Sequence, residues 1–581
     1  MSTTAQQTYD AIVIGAGHNG LIAAGYLARS GRRVLVLEAR DVVGGACVTE
    51  ELIPGASWSS AAFIAGLLRP EILTDLELEE FGLQMYQNEA LEVGLFPDGS
   101  HMFLWRDMDR TVKEFEKFSK NDAKSFLQFG LRIKQFASII TPFLMRPPTG
   151  RSEVLEAFER AGASGLFDEF VLSSIKDLLD RYFESDNIKG LMTFFGMVSI
   201  WGGPSTPGTA CVYGHHSVGE FKGHLGQWGL VKGGMGSITK ALAKSAAHYG
   251  AVVRVNSPVD EVLVTRGRAT GVRLASGETI EATAVLSNAD PSRSLLNLLP
   301  SKTLTPAVEQ EVRQVDFRGS MARIHLLIDE LPEYTGFPKG RGPQHEAQQI
   351  MNASVETFER AWEAQRRGVL PDEFVVEAMI QSATDPSLAP PGKHTMTLGV
   401  LQLPYELSGT TWDDERERFA DAVLETVFRY APNLRGHILD RVVLTPLDWD
   451  REYNLTGGNI FHGAMFLDQL FSNRPTPSLS DYRTPVKGYY LCGSGTHPGG
   501  GVMGASGHNA AKVVIDDLDG RVTNRVPPIN GASHRTLPDR VMSTKLGKEV
   551  GYRVARQPAL RQVVKVFTRS SSLQSRRAAN D

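Results

Sequence analysis

Two apolar runs near the start of the chain flank a glycine-rich turn. Residues 11–14 are apolar and lead into the turn at 15–20, after which apolar positions recur with helical spacing up to Gly31. A second apolar run at 34–37 ends in an acid, Glu38. This pattern predicts a strand, a tight turn, a helix that ends before Gly31, and a second strand.

The glycines of this turn and Glu38 occupy the positions that a dinucleotide site requires. Gly15 allows the tight turn, Gly17 lets a pyrophosphate approach the backbone, and Gly20 lets the helix pack closely on the strand. The helix N-terminus offers unpaired N–H groups to the phosphates, and the Glu38 carboxylate can accept hydrogen bonds from ribose hydroxyls. The sequence therefore predicts a dinucleotide-binding site here.

The pattern changes twice further along the chain. From about residue 66 to residue 223 the spacing of apolar positions is mainly helical. Alternating positions then predict strands at 252–255, 260–264, 269–274 and 279–286. A second, mostly antiparallel sheet and a helix are predicted from strand candidates at 323–328, 374–380 and 395–403 and from helical spacing at 415–430.

A second glycine-rich segment lies near the end of the globular part. An apolar run at 489–492 is followed by six glycines within residues 493–504 and then by helical spacing up to Leu518. This order places a second helix N-terminus against whatever fills the loop. The alternative, a flexible linker, is disfavoured by the strand and helix on either side.

One uncharged stretch, at 190–203, has two interpretations. It is shorter than the roughly 18 to 20 apolar residues that a membrane helix needs. It is either a buried core helix or the wall of an apolar ligand tunnel, since Met and Phe form adaptable surfaces.

The cysteines and the N-terminal residues bear on the compartment. Cys47, Cys211 and Cys492 are far apart and form no Cys-x-x-Cys pair, which disfavours a disulfide scaffold or a cysteine-based zinc site. The first ten residues lack the basic and apolar regions of a secretory signal. We expect a cytoplasmic protein, peripheral at a membrane if its tail binds one.

Charge is concentrated in the tail at 521–581. This segment has 13 Lys and Arg residues, 3 acids and a net charge of +10, so the overall charge of −5 leaves −15 for the rest. Residues 545–569 predict two short basic amphipathic helices, which fit an anionic membrane surface. Packing on the acidic body, or on a second subunit of a homo-oligomer, is the alternative. We expect no nucleic-acid partner.

Five segments resemble one known group of flavoproteins. The chain is similar to the phytoene desaturase-like group of the amine oxidase and carotenoid desaturase type, and within it to the branch named after a pyridine nucleotide-disulphide oxidoreductase domain. The resemblance covers residues 9 to about 518. It rests on Gly44-Gly45 after the opening unit, GGMGSITKAL (233–242), VLSNADP (285–291), GGNIFHGAMFLDQL (457–470) and LCGSGTHPGGGVMGASG (491–507).

The resemblance implies an α/β fold in which an α+β substrate domain is inserted into a Rossmann-like FAD-binding domain. The implied FAD-binding domain comprises residues 1–66, 224–300 and 431–520. The implied substrate domain comprises residues 67–223 and 301–430, with helices and an antiparallel sheet. The basic tail at 521–581 lies outside both.

The resemblance also implies which residues hold FAD. Many relatives have an acid after the last strand, where this chain has Gly493-Ser494, so a side-chain contact to the cofactor at that point is not expected. The implied FAD-binding residues are Gly15, Gly17, His18, Asn19, Gly20, Glu38, Ala39, Arg40, Gly44, Gly45, Val259, Gly493, Ser494, Gly501, Val502 and Met503.

The pattern itself favours a flavin over NAD as the resident cofactor. No second strand–glycine–helix unit is present for a nicotinamide dinucleotide, because the glycines at 233–236 have the wrong spacing. We therefore expect the flavin to be reoxidised by oxygen, a quinone or another diffusible acceptor. The resemblance implies a lipophilic, polyene-like or isoprenoid-like substrate.

Few side chains stand out for proton transfer. His497 lies in the second glycine loop and His462 in the GGNIFHG segment, and both are weak catalytic candidates; His18 and His215-His216 complete the set. The main hypothesis is an FAD-dependent oxidoreductase acting on C–C bonds. The alternatives are an isomerase or ketolase of the same group, an amine oxidase, and an FAD-containing interaction or membrane-associated protein with little catalysis. An amine oxidase usually has an aromatic cage near the flavin, and Trp201, Tyr213 and Trp228 are too scattered in the sequence to decide whether they form one.

Overall fold

The computed structural model describes residues 8–521 of the protein. The basic helices predicted in the tail at 521–581 lie outside the described residues. No helix within residues 8–521 is both long enough and apolar enough to cross a membrane.

The predicted opening unit is confirmed. The strand Tyr9–Ile14 leads into the helix His18–Arg29, and the strand Val34–Leu37 follows and pairs in parallel with the first strand. Gly31 stands just after the helix with a φ of +86°, a left-handed conformation that glycine adopts without strain.

The first sheet draws its seven strands from three separated parts of the chain. Its strands between residues 252 and 287 match the predicted ones to within one residue at each end. The five strands that run parallel are, in spatial order, Val252–Arg254, Val34–Leu37, Tyr9–Ile14, Thr279–Ser287 and Tyr489–Leu491. An antiparallel extension pairs with the start of Thr279–Ser287 and consists of Val259–Thr265 and Arg268–Leu274.

The second sheet also has seven strands and is antiparallel at every step but one, between Gln348–Met351 and Ala90–Leu95. One of its faces packs on the helix Trp412–Tyr430, whose first turn is capped by the Thr411 hydroxyl. The predicted second sheet is thus confirmed. Its strands are, in spatial order, Ile438–Leu444, Ser320–Ile328, His394–Leu403, Val376–Met379, Gln348–Met351, Ala90–Leu95 and His101–Trp105.

The prediction that residues 66–223 are mainly helical is confirmed, but it missed two strands of the second sheet. Ala90–Leu95 and His101–Trp105 form a hairpin, in which Asp98 accepts hydrogen bonds from the N–H and the hydroxyl of Ser100. Gly99 completes the turn with a φ of +81°. The Pro-Asp-Gly turn was visible in the sequence, but Ala90–Leu95 is almost fully buried and four of the five residues of His101–Trp105 are apolar, so neither strand shows a clear alternation.

The domain division implied by the resemblance stays a prediction, although one of its boundaries does not coincide with a change of sheet. Ile438–Leu444, which was placed in the FAD-binding domain by the boundary at 431, pairs with Ser320–Ile328 of the second sheet.

The helices between residues 108 and 217 surround the largest apolar cluster, which is rich in Phe and includes residues of the uncharged stretch at 190–203. Three short strand pairs lie outside the two sheets: Thr49–Ile53 with Ala56–Ser59, Met85–Tyr86 with Leu230–Val231, and Glu220–Phe221 with His224–Leu225. The helices are Pro70–Asp75, Met108–Phe118, Lys120–Ile140, Arg151–Arg160, Ser164–Phe167, Ile175–Asp180, Asp186–Thr193, Ala210–Ser217, Gly236–His248, Pro306–Arg313, Val355–Arg366, Pro446–Tyr453 and Ala505–Leu518.

The helices His18–Arg29 and Ala505–Leu518 approach so closely that a side chain does not fit between them. A Cβ atom at Gly507 would lie 2.2 Å from the Asn19 carbonyl oxygen. We expect Gly507→Ala to destabilise the protein by about 1–3 kcal/mol, because the backbone contact has to open. The measurement is thermal and chemical denaturation of both proteins.

The matched control is Gly130→Ala in the helix Lys120–Ile140, where no atom lies within 4 Å of the new Cβ. This variant should be stabilised by about 0.5–1 kcal/mol, since alanine loses less backbone entropy on folding. Equal shifts in the two variants would contradict the close helix contact.

Candidate functional site

The carboxyl ends of four parallel strands meet at one edge of the first sheet. The residues that follow them, Gly15, Glu38, Asn288 and Gly493, gather there. Asn288 lies between the two glycine segments. Its Cβ is 3.5 Å from the position that a Cβ atom would take at Gly15, and its carbonyl oxygen is 2.6 Å from the position that a Cβ atom would take at Gly493. Ligands of open parallel sheets bind at such an edge.

Bare backbone forms one wall of the site. Gly17 forms a bridge to Gly44, and the Gly44 N–H donates to the Ala16 carbonyl at 2.9 Å. Gly44 and Gly45 have φ values of +133° and +55°, and a Cβ at Gly17 would lie 2.6 Å from the Asn288 amide nitrogen. A side chain at Gly17 would therefore displace the Asn288 side-chain amide even before a ligand binds.

The Glu38 carboxylate holds the turn and keeps capacity for a ligand. It accepts hydrogen bonds from the Ala16 N–H at 2.7 Å and the Arg40 N–H at 3.0 Å. A carboxylate has about four lone-pair positions, so two remain for ribose hydroxyls. The Ser257 N–H donates to the Glu38 carbonyl at 2.8 Å, which places the half-buried Val259 near this end of the site. Its contact with adenine stays a prediction.

Three buried polar atoms near the glycine wall have no hydrogen-bond partner within residues 8–521: His18 Nε2, Arg40 Nη1 and His462 Nδ1. Buried polar atoms are costly unless a ligand or water pairs with them. Burial, and then the neighbouring His462, lower the pKa of His18 to about 3, so His18 is neutral. The phosphates and hydroxyls of FAD would supply partners, and the site residues fit this cofactor. Ala39, by contrast, is exposed.

The second glycine loop joins the opening helix to the last one. The Asn19 side-chain amide donates to the Ser494 hydroxyl at 3.1 Å, and its oxygen accepts from the Gly507 N–H at 3.3 Å. Within the loop, Val502 has a φ of +56°, which costs a β-branched residue about 1–3 kcal/mol. Such strain clusters at ligand sites. Val502 precedes Met503 and lies just before the N-terminus of the helix Ala505–Leu518.

Arg474 fixes the loop from behind and was not identified from the sequence. Its side chain is 1% exposed, and it donates to the carbonyls of Phe461, Gly463, Ala464, Gln469 and Ser494 at 2.7–3.2 Å. Burial lowers its pKa to about 9, so the guanidinium stays charged at neutral pH. The guanidinium thus ties the GGNIFHG segment to the second glycine loop. In the sequence, Arg474 is followed by a proline in a loop, and this pattern does not indicate that the residue anchors another segment.

The two histidine candidates are neutral at physiological pH. Burial lowers the pKa of both His497 and His462 to about 4. The His497 Nε2 lies 2.8 Å from the Phe143 carbonyl oxygen, so this nitrogen carries the proton and donates it. His215 similarly contacts the Gly500 carbonyl at 3.0 Å. This geometry favours anchoring of the loop, and a catalytic role for His497 or His462 stays a prediction.

The three aromatic residues considered for an amine oxidase cage do not stack with one another. Each instead has a different aromatic partner, with ring centroids 4.5–5.7 Å apart. Trp201, Tyr213 and Trp228 pack against Trp362, Phe129 and Phe195, respectively.

Comparison with known proteins identifies the family of the chain. A family model described as "Flavin containing amine oxidoreductase" matches residues 20–515. The chain is 39% identical to the mouse (Mus musculus) "Pyridine nucleotide-disulfide oxidoreductase domain-containing protein 2", over 88% of this chain and 94% of the mouse protein. It is 27% identical to a phytoene desaturase of Neurospora crassa, over 86% of this chain and 82% of that protein.

The fold is also shared with solved structures. Putrescine oxidase bound to putrescine superimposes with a TM-score of 0.56 and 17% identity, over 88% of this chain and 99% of the oxidase. The implied family, FAD and the α/β flavoprotein fold are confirmed, and the protein is an FAD-dependent oxidoreductase. The chain belongs to the flavin containing amine oxidoreductase family.

Proposed function

We propose that the protein removes two hydrogens from adjacent carbons of a lipophilic, polyene-like or isoprenoid-like substrate. The observation that carries this proposal is the apolar surface against the second glycine loop. The glycines at 499–501 lie against the side chains of Met465, Phe461 and Leu67, which belong to the largest apolar cluster. The phytoene desaturase relative acts on phytoene, by its name, which supports a substrate of this class.

FAD, when bound, supplies an acceptor for the hydride of a C–H bond. The apolar side chains against the loop suit that chemistry, because they exclude water and do not stabilise a charged substrate. The N-terminus of Ala505–Leu518 and the buried Arg474 guanidinium both place positive charge at the loop. Positive charge there favours the binding of an electron-rich, negatively charged form of the cofactor.

Oxygen or a quinone is the proposed electron acceptor, because the sequence provides no second dinucleotide unit. The tail at 521–581 is proposed to bring the protein to an anionic membrane surface, where a lipophilic substrate is stored. Vesicle co-sedimentation with and without this tail tests the second point. Binding that persists after truncation at Gly520 contradicts it.

The purified protein should be yellow, release FAD on denaturation, and lose its flavin absorption band anaerobically when the substrate is added. A polyene product lighter by two hydrogens, detected by mass spectrometry, supports desaturation. An unchanged mass indicates isomerisation, and added oxygen indicates ketolation. A flavin that no lipophilic compound reduces would instead favour a protein that keeps FAD as a structural element.

Gly17→Val should abolish FAD binding, because the side chain would meet the Asn288 amide and fill the space for the pyrophosphate. The measurement is the ratio of FAD to protein after purification and after incubation with added FAD. Gly436→Val is the control, since no atom lies within 4 Å of a Cβ there and, like Gly17, this glycine does not have a positive φ. Normal FAD content in Gly17→Val would contradict the assignment.

Glu38→Ala should weaken FAD binding by about 1.5–3 kcal/mol, roughly 10- to 150-fold in Kd, through the loss of charge-assisted bonds to ribose. It also removes the acceptor of the buried Ala16 N–H, so the apoprotein should melt at a lower temperature. Glu38→Gln keeps one acceptor oxygen, so its Kd for FAD should lie between those of the unchanged protein and Glu38→Ala. Titration of apoprotein with FAD gives the Kd values, and an unchanged Kd in Glu38→Ala would refute the ribose contact.

A further inference from the structure

The second sheet carries a row of buried polar side chains on the face opposite the helix Trp412–Tyr430. Arg323 and Glu377 form a buried ion pair across His394–Leu403, with each residue 6% exposed. Gly399 of the intervening strand makes this possible, since a Cβ there would collide with both side chains.

The row continues toward the edge of the sheet. The Gln348 side-chain amide donates to Glu377 at 2.7 Å, and Gln348 is in register with Glu92 of the neighbouring parallel strand. Residues in register on adjacent strands point to the same face, so Glu92 is the last member of the row. Glu92 and Gln348 are 2% and 1% exposed.

Two oxygen atoms at the end of this row are left unpaired. Glu92 Oε1 and Gln348 Oε1 are buried and have no hydrogen-bond partner among the described residues. Burial, and then the nearby Glu377 carboxylate, raise the pKa of Glu92 well above its usual value, which favours the neutral form of this carboxyl. Unpaired buried polar groups are costly, and a ligand or an ordered water that pairs with them removes this cost.

Two segments connect this face with the second glycine loop. The chain from Ala61 to Leu67 runs between them: the Ala61 carbonyl accepts from Arg323 at 3.2 Å, and Leu67 contacts Gly501. The helix Ala210–Ser217 also connects the polar face of the second sheet with the loop. Its Tyr213 interacts electrostatically with Glu92, and its His215 contacts the Gly500 carbonyl. The polar row thus borders the region in front of the loop.

We infer that Glu92 and Gln348 form a subsite for a hydroxyl group of the substrate, so that the molecule is an isoprenoid alcohol rather than a pure hydrocarbon. This inference rests on the proposed function. A hydroxyl is both donor and acceptor: it donates to Gln348 Oε1 and pairs with the buried Glu92 carboxyl. A carbonyl has no hydrogen to donate and would leave Gln348 Oε1 unpaired, and tighter binding of an ammonium than of the alcohol would indicate an ionised Glu92.

The test compares probes that share a carbon skeleton and differ in one polar group. Geraniol, geranylamine and the hydrocarbon 2,6-dimethylocta-2,6-diene are titrated into the FAD-loaded protein, with geranylgeraniol as a longer alcohol. Binding is followed by the change in flavin absorption. We expect at least one alcohol to bind roughly tenfold more tightly than the hydrocarbon, the equivalent of one net hydrogen bond.

Variants then assign the preference to the subsite. Glu92→Leu and, independently, Gln348→Met should abolish the preference for the alcohol, whereas Glu92→Gln, which keeps a neutral donor, should retain it. Thr395→Val is the control, because it removes another unpaired buried atom of the same sheet without touching the row. FAD content shows whether each variant is folded. If Glu92→Leu does not fold, the alcohol preference of Gln348→Met decides the test.

Three results would overturn the inference: equal binding of alcohol and hydrocarbon, a preference that survives both variants, or tighter binding of the amine that depends on Glu92. Flavin reduction by the hydrocarbon without any alcohol preference would remove the subsite and leave the proposed function intact. An alcohol preference without flavin reduction by any probe would support the subsite and contradict the proposed function.

Discussion

The parallel pairing of Tyr9–Ile14 with Thr279–Ser287 is the contact on which the site depends. It places the glycine turn after the first strand beside Asn288 after the second, although the two lie far apart in the sequence. Tyr489–Leu491 then pairs with the same central strand and brings the second glycine loop to the same edge. The chain between these strands forms the second sheet and most of the helices. Because both glycine segments follow strands of the first sheet, that sheet alone positions the two walls of the site.

The site is built from bare backbone and from polar atoms that the protein does not pair internally. Gly17, Gly44 and Gly45 leave room, while His18 and His462 present unpaired ring nitrogens. Both features reduce the stability of the protein without its cofactor, and FAD binding therefore contributes directly to the stability of the folded state. Behind the loop, the Arg474 guanidinium is satisfied by five carbonyls and keeps the loop in one position.

The second sheet has two unlike faces. One is apolar and packs on the helix Trp412–Tyr430, as a sheet in a hydrophobic core does. The other carries Arg323, Glu377 and Glu92 in a nearly water-free environment, where an ion pair and a third carboxyl are expensive to bury. A sheet that only supported a hydrocarbon cavity would gain stability from apolar residues at these positions. The polar row is the observation from which we infer a ligand with a polar group.

Local signals in the sequence determined the opening unit, the second glycine loop, the strands of the first sheet and three of the seven strands of the second. Gly15, Gly17 and Glu38 were identified because tight turns and phosphate contacts restrict residue type at fixed spacing. Four strands of the second sheet were missed, and two of them, Ala90–Leu95 and Gln348–Met351, are almost fully buried, which removes the alternation of apolar and polar residues.

Contacts between distant segments were decided by the tertiary structure alone. Arg474 gathers carbonyls from two motifs that lie before and after it, and Glu92 meets Gln348 and Glu377 only through the order of strands in the second sheet. Neither residue has a local pattern that distinguishes it from a surface charge. The sequence determined where a dinucleotide binds, because that depends on local backbone conformation. Strand order determined which charges are buried beside it, because burial depends on the packing of the whole chain.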